Sequence, residues 1–390
     1  MKKLNDKTAL WLLWACRIFV GVLFIFSGLI KINDPIGFSY KLQEYFVVFH
    51  ITFLNVFSLI IAIVLCALEM SLGFALLIGA RSVKVAWGLL LLIIFFAFLT
   101  FYSAYFKVVQ TCGCFGDAIP LTPWQSFSKD LFLLLLILVL FFNRRKIQPL
   151  FNARKGDGLL VISAVVSLGI GLYTYHFLPV IDFLPYKAGA NILDEMKTPP
   201  GAKPDEYEQI FHLKNKKTGA TKVMNNTDYM SSNIWKDNDW AVIVGQTESH
   251  LVKTGFTPKI RDLSISDAQG NDYTKELLSS PYYNLIIVAY DLSSADEDAI
   301  NSLNALAINL KQDFDIRTVL LTSSPPQFAE AFGKKHKLIT DIFYADDVPL
   351  KEMVRANPGI LLLKNSTVIN KWHYHTMPNY DELVKKYFRQ

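Results

Sequence analysis

The sequence predicts an α-helical membrane bundle, a four-helix core plus a fifth transmembrane helix, followed by an extracytoplasmic α/β domain. Three observations lead there. The 390-residue chain is 52% hydrophobic and 14% aromatic, yet its apolar residues concentrate before residue 180, in stretches of about 20 residues, the length that crosses a bilayer. Lys and Arg cluster in alternate connections between those stretches. After residue 185 the chain is charged and mixed, and apolar runs of strand length alternate with amphipathic helical ones. The length suits two or three domains. A formal net charge of +5 without a basic tract gives no sign of nucleic acid as a partner; membrane lipid is the expected surrounding of the first half.

Five spans follow in order, at residues 9–30, 52–80, 85–106, 123–142 and 158–180. Lys2, Lys3 and Lys7 precede the first as they would a signal peptide. Its apolar core is too long for one, however, and no small-x-small cleavage site follows. Orientation comes from the positive charges. Lys2, Lys3 and Lys7, then Arg81 and Lys84, then Arg144, Arg145, Lys146, Arg154 and Lys155 all fall on one side. Lys31, Lys41 and Lys107 are left to the short loops of the other. The expected topology is a multi-pass protein of a bacterial inner (plasma) membrane, with a cytoplasmic N-terminus. The loop after the third span and the whole C-terminal half are then periplasmic, in an oxidising compartment.

That loop reads "KVVQTCGCFGDAIP" (107–120) and holds two of the four cysteines. Cys112 and Cys114 flank Gly113, and Asp117 follows. Glycine permits backbone angles that could bring the two Cα atoms within the roughly 4.4–6.8 Å a disulfide needs. So small a ring is strained and therefore easily reduced, and it restricts little of the unfolded chain. A redox-active pair is the leading reading. A small structural disulfide, two free thiols, or half a metal site that would need two more ligands, are the alternatives. Thr122-Pro123 reads as N-cap and first residue of the fourth span. Cys16 and Cys66, inside spans one and two, read as small buried apolar residues.

Charges within a bilayer are costly and face the bundle interior. Arg17 and Glu69 are expected at similar depths and therefore as a pair. Lys129 and Asp130 lie about two turns below the outer end of the fourth span, on the side of the cysteine loop. In the functional reading Asp117, Asp130 and Glu69 handle the protons released when a dithiol is re-oxidised. Arg17 and Lys129 are then candidate contacts for a cofactor, with quinone the candidate. In the plainer reading Arg17 and Glu69 lock two helices together and Lys129 snorkels.

The segments "CRIFVGVLFIFSGLIKINDPIGF" (16–38), "ALEMSLGFALL" (67–77), "TCGCFGD" (111–117) and "SKDLFLLLL" (128–136) resemble the methylamine-utilisation MauE/DoxX group of membrane proteins. The resemblance covers residues 1–146. Its most specific element is CGCFGD; Ser27, Gly28, Lys31, Asp34 and Pro35 form a weaker one. It implies a redox-associated four-helix core and a part in disulfide formation or maturation of exported proteins. The core is also similar to vitamin K epoxide reductase and DsbB-type quinone-coupled oxidases. It lacks their C-x-x-C, so that analogy reaches function at most.

Residues 147–182 carry the fifth span. Residues 183–255 read as an exposed connector with a β-hairpin in "YEQIFHLKNKKTGATKVM", Thr218-Gly219 lying near its turn. Residues 256–390 open with "FTPKIRDLSISDAQGNDYTKELL", which resembles the entry hairpin of TlpA-like thioredoxin domains. A buried strand (283–290), an amphipathic helix, a second strand, a second helix, a short extended piece and a closing hairpin follow. This β-α-β-α-β-β order resembles a thioredoxin fold, with Pro358 in the place of that family's cis-proline. Where the family carries C-x-x-C, this chain reads "YDLSSADED" (290–298), and no cysteine follows Cys114. The domain is therefore expected to hold a partner or cover the membrane disulfide, not to exchange dithiols itself. His373 and His375 alternate in "KWHYH" and read as surface histidines, not as a metal site.

The sequence thus points to an inner-membrane thiol–disulfide redox protein. Its Cys112–Cys114 pair would serve a periplasmic thiol-containing protein client. The alternative is a non-catalytic envelope assembly or scaffold protein whose thioredoxin-like domain binds partners.

Overall fold

The computed structural model describes residues 6–109, 113, 115–202, 206–237, 239–243, 248–253 and 255–389. Among the described residues, five helices are long and apolar enough to cross a membrane, at Leu10–Asn33, Thr52–Ile78, Ser82–Phe106, Pro123–Phe142 and Ala153–His176. In chain order the helices of this half are α1 (Asp6–Asn33), α2 (Pro35–Val48), α3 (Ser58–Ile78), α4 (Ser82–Phe106), α5 (Pro123–Phe142) and α6 (Ala153–His176). A 3-10 turn at Thr52–Phe57 leads into α3.

α1 and α3 pack closely because glycines face each other. A Cβ on Gly73 would lie 2.8 Å from the Gly21 carbonyl oxygen, so only small residues let these backbones approach. α4 and α5 complete the core around Leu89, Ile93, Leu133 and Ile137. α6 lies at the rim: 17% of its apolar window is buried, against 50% for α4, which leaves most of its side chains to lipid.

Thr122 caps α5 as expected, and Gln125 returns the bond to make a reciprocal capping box. α6 starts five residues earlier than hydropathy suggests. Asn152 caps it by accepting from the Lys155 N–H at 3.0 Å, and Asp157 in its first turns takes two bonds from Arg81. Helix α2 has no counterpart in the sequence reading. Asp34 caps it, accepting from the Gly37 N–H at 2.9 Å, and Pro35 opens it.

The second half begins with α7 (Ile192–Glu195), then β1 (Glu206–Asn215), β2 (Thr221–Asn225), α8 (Asn226–Ser231), β3 (Trp240–Val242) and β4 (Glu248–Lys253). β1 and β2 form the expected hairpin, turning at Gly219 (φ +74°). β3 and β4 also pair with β1, making a four-stranded sheet.

After α9 (Thr274–Leu278) come β5 (Asn284–Val288), α10 (Glu297–Phe314), β6 (Arg317–Thr322), α11 (Pro326–His336), β7 (Asp341–Tyr344), α12 (Asp347–Met353), β8 (Gly359–Lys364), β9 (Thr367–His373) and α13 (Tyr380–Leu383). They build a five-stranded sheet of order β7-β6-β5-β8-β9. β5, β6 and β7 run parallel, whereas β8 is antiparallel to β5 and β9 to β8. Both faces of the sheet are covered. Leu285 and Ile287 pack towards Ile300 and Leu303 of α10, and Ile286 and Val288 towards Leu350 and Met353 of α12. That is why β5 reads as an unbroken apolar run and not as an alternation. The peptide before Pro358 is cis, as the sequence pattern predicts.

One expectation fails here. Residues 184–196 are not simply an exposed connector. Tyr186 and Ile192 are fully buried in the sheet's core. The backbone of this segment pairs with the β8–β9 hairpin, from Gly189 to Val368 at 2.7 Å and from Ile192 to Ser366 at 2.8 Å. Single apolar residues set among Pro and Gly leave no period from which to read burial.

Candidate functional site

The mouth of the bundle, where α1 and α6 end and α2 begins, is capped by the α/β unit. Asn33, last residue of α1, exchanges two hydrogen bonds with the Ile181 backbone, donating at 2.7 Å and accepting at 3.0 Å. Arg355, in the segment between α12 and β8, donates from Nε to Asp34 Oδ2 at 2.8 Å and from Nη1 to the Lys351 carbonyl at 2.6 Å. Its Nη2 reaches Asp117 Oδ2 at 3.5 Å. Lys371 on β9 pairs with Asp182 at 2.5 Å. These contacts place α2, Asp117 and the α/β unit at one end of the bundle.

Between them lies a cavity of about 350 Å³, lined among others by Lys41, Gly113, Asp117, Glu352 and Arg355. Cys112 and Cys114 lie outside the described residues. Gly113, bonded to both, is described, with φ +67°, and consecutive Cα atoms are about 3.8 Å apart. The cavity therefore reaches the residue that stands between the two cysteines in the chain. The Asp117 side chain is 54% exposed, so the desolvation that pushes its carboxyl above the usual carboxylate range is partial, and Arg355 pulls the other way. Burial also raises Glu352. Arg355 is buried too, which works against its charge, but Asp34 and Asp117 more than offset this. Burial raises Tyr40 strongly.

The segment at Asp291–Ser294, after β5, is closed by its own hydrogen bonds. Asp291 accepts from the Ser293 N–H at 2.9 Å and from the Ser294 hydroxyl at 2.7 Å. Asn357 donates to the Asp291 carbonyl at 2.7 Å. The neighbouring Tyr290 receives a long bond, 3.5 Å, from Tyr40 of α2. The face of the α/β unit that carries the cis-proline thus lies against the membrane unit.

Deeper in the bundle the charges pair differently from expectation. Glu69 pairs with Lys31, both side chains at most 5% exposed. Arg17 does not meet Glu69. Its guanidinium donates to the carbonyls of Leu76 (2.8 Å), Leu77 (2.9 Å) and Gln148 (3.1 Å). The Leu76 carbonyl also accepts from the cap residue Gly79 at 3.1 Å, and a cation at that helix end is favoured by the helix dipole. Lys31 stands 14 residues further along α1, about 21 Å up the helix, and its side chain is the one that meets Glu69. Lys129 does not simply snorkel, because its Nζ binds Asp130 Oδ1 at 2.7 Å. The other Asp130 oxygen accepts from Thr100 at 3.0 Å. The cavity shared by Lys31, Glu69, Lys129 and Asp130 measures about 10 Å³, roughly one water, and does not fit a quinone ring. Cys16 and Cys66 are buried and free, as expected.

Of the two histidines, His375 is exposed as expected and His373 is not. His373 is buried, with 5% exposed. Its ring stacks on His375 with centroids 4.6 Å apart, and His375 stacks on His176 of α6 at 4.1 Å. The His375 Nδ1–H can donate to the His176 carbonyl at 2.9 Å. Burial, reinforced by the two neighbouring imidazoles, pushes the His373 pKa down to about 4.

Sequence reasoning missed Asp34, Arg355 and the Lys31–Glu69 pair. Lys31 and Asp34 stood inside a recognised motif without a role. Nothing marked Arg355, whose partners lie 321 and 238 positions away.

Five apolar spans followed by a mixed α/β region define a multi-pass membrane protein. Its N-terminal region, residues 9–143, matches the family described as Methylamine utilisation protein MauE. Protein TlpB of Flavobacterium psychrophilum is 29% identical over 163 residues, which cover 40% of this chain and 44% of that protein. The chain therefore spans less than half the length of that curated relative. A crystal structure of a candidate electron transfer protein from Aquifex aeolicus VF5 aligns with 32% of this chain and 86% of its own, at 17% identity. Its TM-score of 0.26 is too low to carry an argument.

Proposed function

We propose that the protein is an inner-membrane thiol–disulfide redox protein whose Cys112 and Cys114 exchange electrons with an exported thiol-containing protein. The N-terminus lies in the cytoplasm, and the cysteine loop and α/β unit in the periplasm. In the exchange, two client thiols are oxidised to a disulfide and the Cys112–Cys114 disulfide is reduced to two thiols, or the reverse. Asp117, at the cavity that reaches Gly113, is placed to take or return a proton. Asp130 and Glu69 hold charge deeper in the bundle. The α/β unit is a thioredoxin-like domain without its cysteines; its strand order and the cis peptide before Pro358 support this.

The observation that carries the reading is the cavity between the two units, which opens on the residue joining the two cysteines. The MauE match over residues 9–143 supports the membrane part. In a Cys114→Ser variant, Cys112 is expected to accumulate mixed disulfides with periplasmic proteins during oxidising growth, resolved on non-reducing gels. Absence of any adduct refutes exchange.

The second reading, a non-catalytic scaffold, has one observation in its favour: the closed, cysteine-free segment at Asp291–Ser294. Full function in a Cys112→Ser/Cys114→Ser double variant would establish it.

A further inference from the structure

We infer that Arg355, supplied by the α/β unit, is the positioning residue of the Cys112–Cys114 loop: its guanidinium clamps Asp117 of that loop to Asp34 at the head of α2. This rests on the exchange reading above and extends it to a residue 241 positions beyond Cys114, in a different unit.

The clamp is built, not incidental. Arg355 is 5% exposed. It is fixed from behind by the Lys351 carbonyl at 2.6 Å and flanked by the Tyr40 ring at 5.7 Å. Asp34 serves it and the α2 N-cap at once. Gly37 records the fit: a Cβ there would lie 2.3 Å from Asp34 Oδ2 and 2.8 Å from Arg355 Nη2. Asp117 is three residues from Cys114 in the chain, and Gly113 lines the same cavity as Arg355. An arginine is always charged and holds carboxylates through a planar fork. It therefore brings a fixed positive charge to Asp117, whose side chain is 54% exposed and 3.5 Å away, and ties that residue to α2 at the mouth of the bundle.

The charge has a sign that can be read. A nearby cation favours thiolates, hence the reduced dithiol, and makes a pair more oxidising. A nearby carboxylate does the reverse. The full-length protein in detergent is equilibrated with glutathione, the Cys112–Cys114 disulfide plus two glutathione thiols giving the dithiol plus glutathione disulfide. Arg355→Gln is expected to lower the dithiol-to-disulfide ratio about tenfold at a given buffer, about 30 mV for this two-electron couple. Asp117→Asn is expected to raise it, and Arg355→Lys to stay nearer wild type. Loosening of the fold alone would move both variants the same way. Shifts of equal sign, or ratios within twofold of wild type, overturn the inference.

Trypsin cleavage after Lys107, read by mass spectrometry on the folded protein, follows the loop without any redox chemistry. It is expected to quicken at least tenfold in both Arg355→Gln and Asp117→Asn. Equal cleavage rates refute the clamp. A wild-type pair that never titrates refutes the exchange reading instead, and leaves the clamp to be decided by the cleavage rates.

Discussion

Replacing Lys31 by methionine tests whether Glu69 belongs to the fold or to the chemistry. The two side chains are 3% and 5% exposed and join α1 to α3. The ammonium also lies 4.5 Å from the Phe96 ring centroid. Each charge lost its water on folding, at a cost of several kcal/mol, which the attraction between them has to return. Lys31→Met removes the attraction and leaves the Glu69 carboxylate buried without its ion-pair partner, a change that costs about 3–5 kcal/mol. Lys31→Met/Glu69→Met replaces the pair by apolar groups of similar volume and is expected within about 1 kcal/mol of wild type. Reversible unfolding of the full-length protein in mixed micelles measures all four corners of the cycle, with a coupling of at least about 2 kcal/mol expected. The stable double variant should also keep thiol exchange. A single variant within about 0.5 kcal/mol of wild type, the scatter of such additivity tests, would refute the structural argument. A stable double variant without exchange would return Glu69 to proton handling.

Three further outcomes follow from the geometry. Thr100→Val removes the bond to Asp130, with both residues 1% exposed, and should cost about 1 kcal/mol in the same unfolding assay, since hydrogen bonds within bundles average less than their burial suggests. His373, held neutral down to about pH 4 by burial, binds a proton more readily when unfolded, where its pKa is about 6.5. Its part in stability is therefore complete above pH 6.5 and is lost as pH falls towards 4, by about 3 kcal/mol at most. The drop in melting temperature between pH 7 and 4.5 should shrink in His373→Asn, and an unchanged drop contradicts the burial argument. Gly37→Ala forces a Cβ against Asp34 and Arg355 and should cost about 1–3 kcal/mol; a neutral result would mean that the mouth of the bundle is looser than described.

The spans were legible because a bilayer demands long apolar runs, and α3, α4 and α5 fall where hydropathy puts them. β5, β6 and β8 were legible for the related reason that strands covered on both faces become continuous apolar runs. What the sequence hid were contacts between distant parts of the chain. Arg17 and Glu69 looked like partners because each was counted inward from its own span's end. Which carbonyls Arg17 reaches depends on how α1 slides against α3, and that is set by the packing of Gly21 and Gly73. α2 was missed because its 14 residues are too few to span a bilayer and its start is marked only by Asp34-Pro35. The candidate site was half legible. Cys112, Cys114 and Asp117 stand together in the chain, whereas Arg355 and Glu352 reach the same cavity only through the docking of the α/β unit. His373 was read as exposed because strand alternation does not reveal that α6 lays His176 over its neighbour His375.

The most direct measurement is the redox state of the Cys112–Cys114 pair in growing cells. It is read by tagging free thiols with one alkylating reagent, reducing, and tagging the rest with a second of different mass. A pulse of membrane-permeant reductant should convert the pair wholly to thiols, and its removal should restore the disulfide within minutes. A reagent that cannot cross the inner membrane should reach both thiols from the periplasm. A pair that stays in one state throughout the pulse, or that only a membrane-crossing reagent can label, contradicts the account.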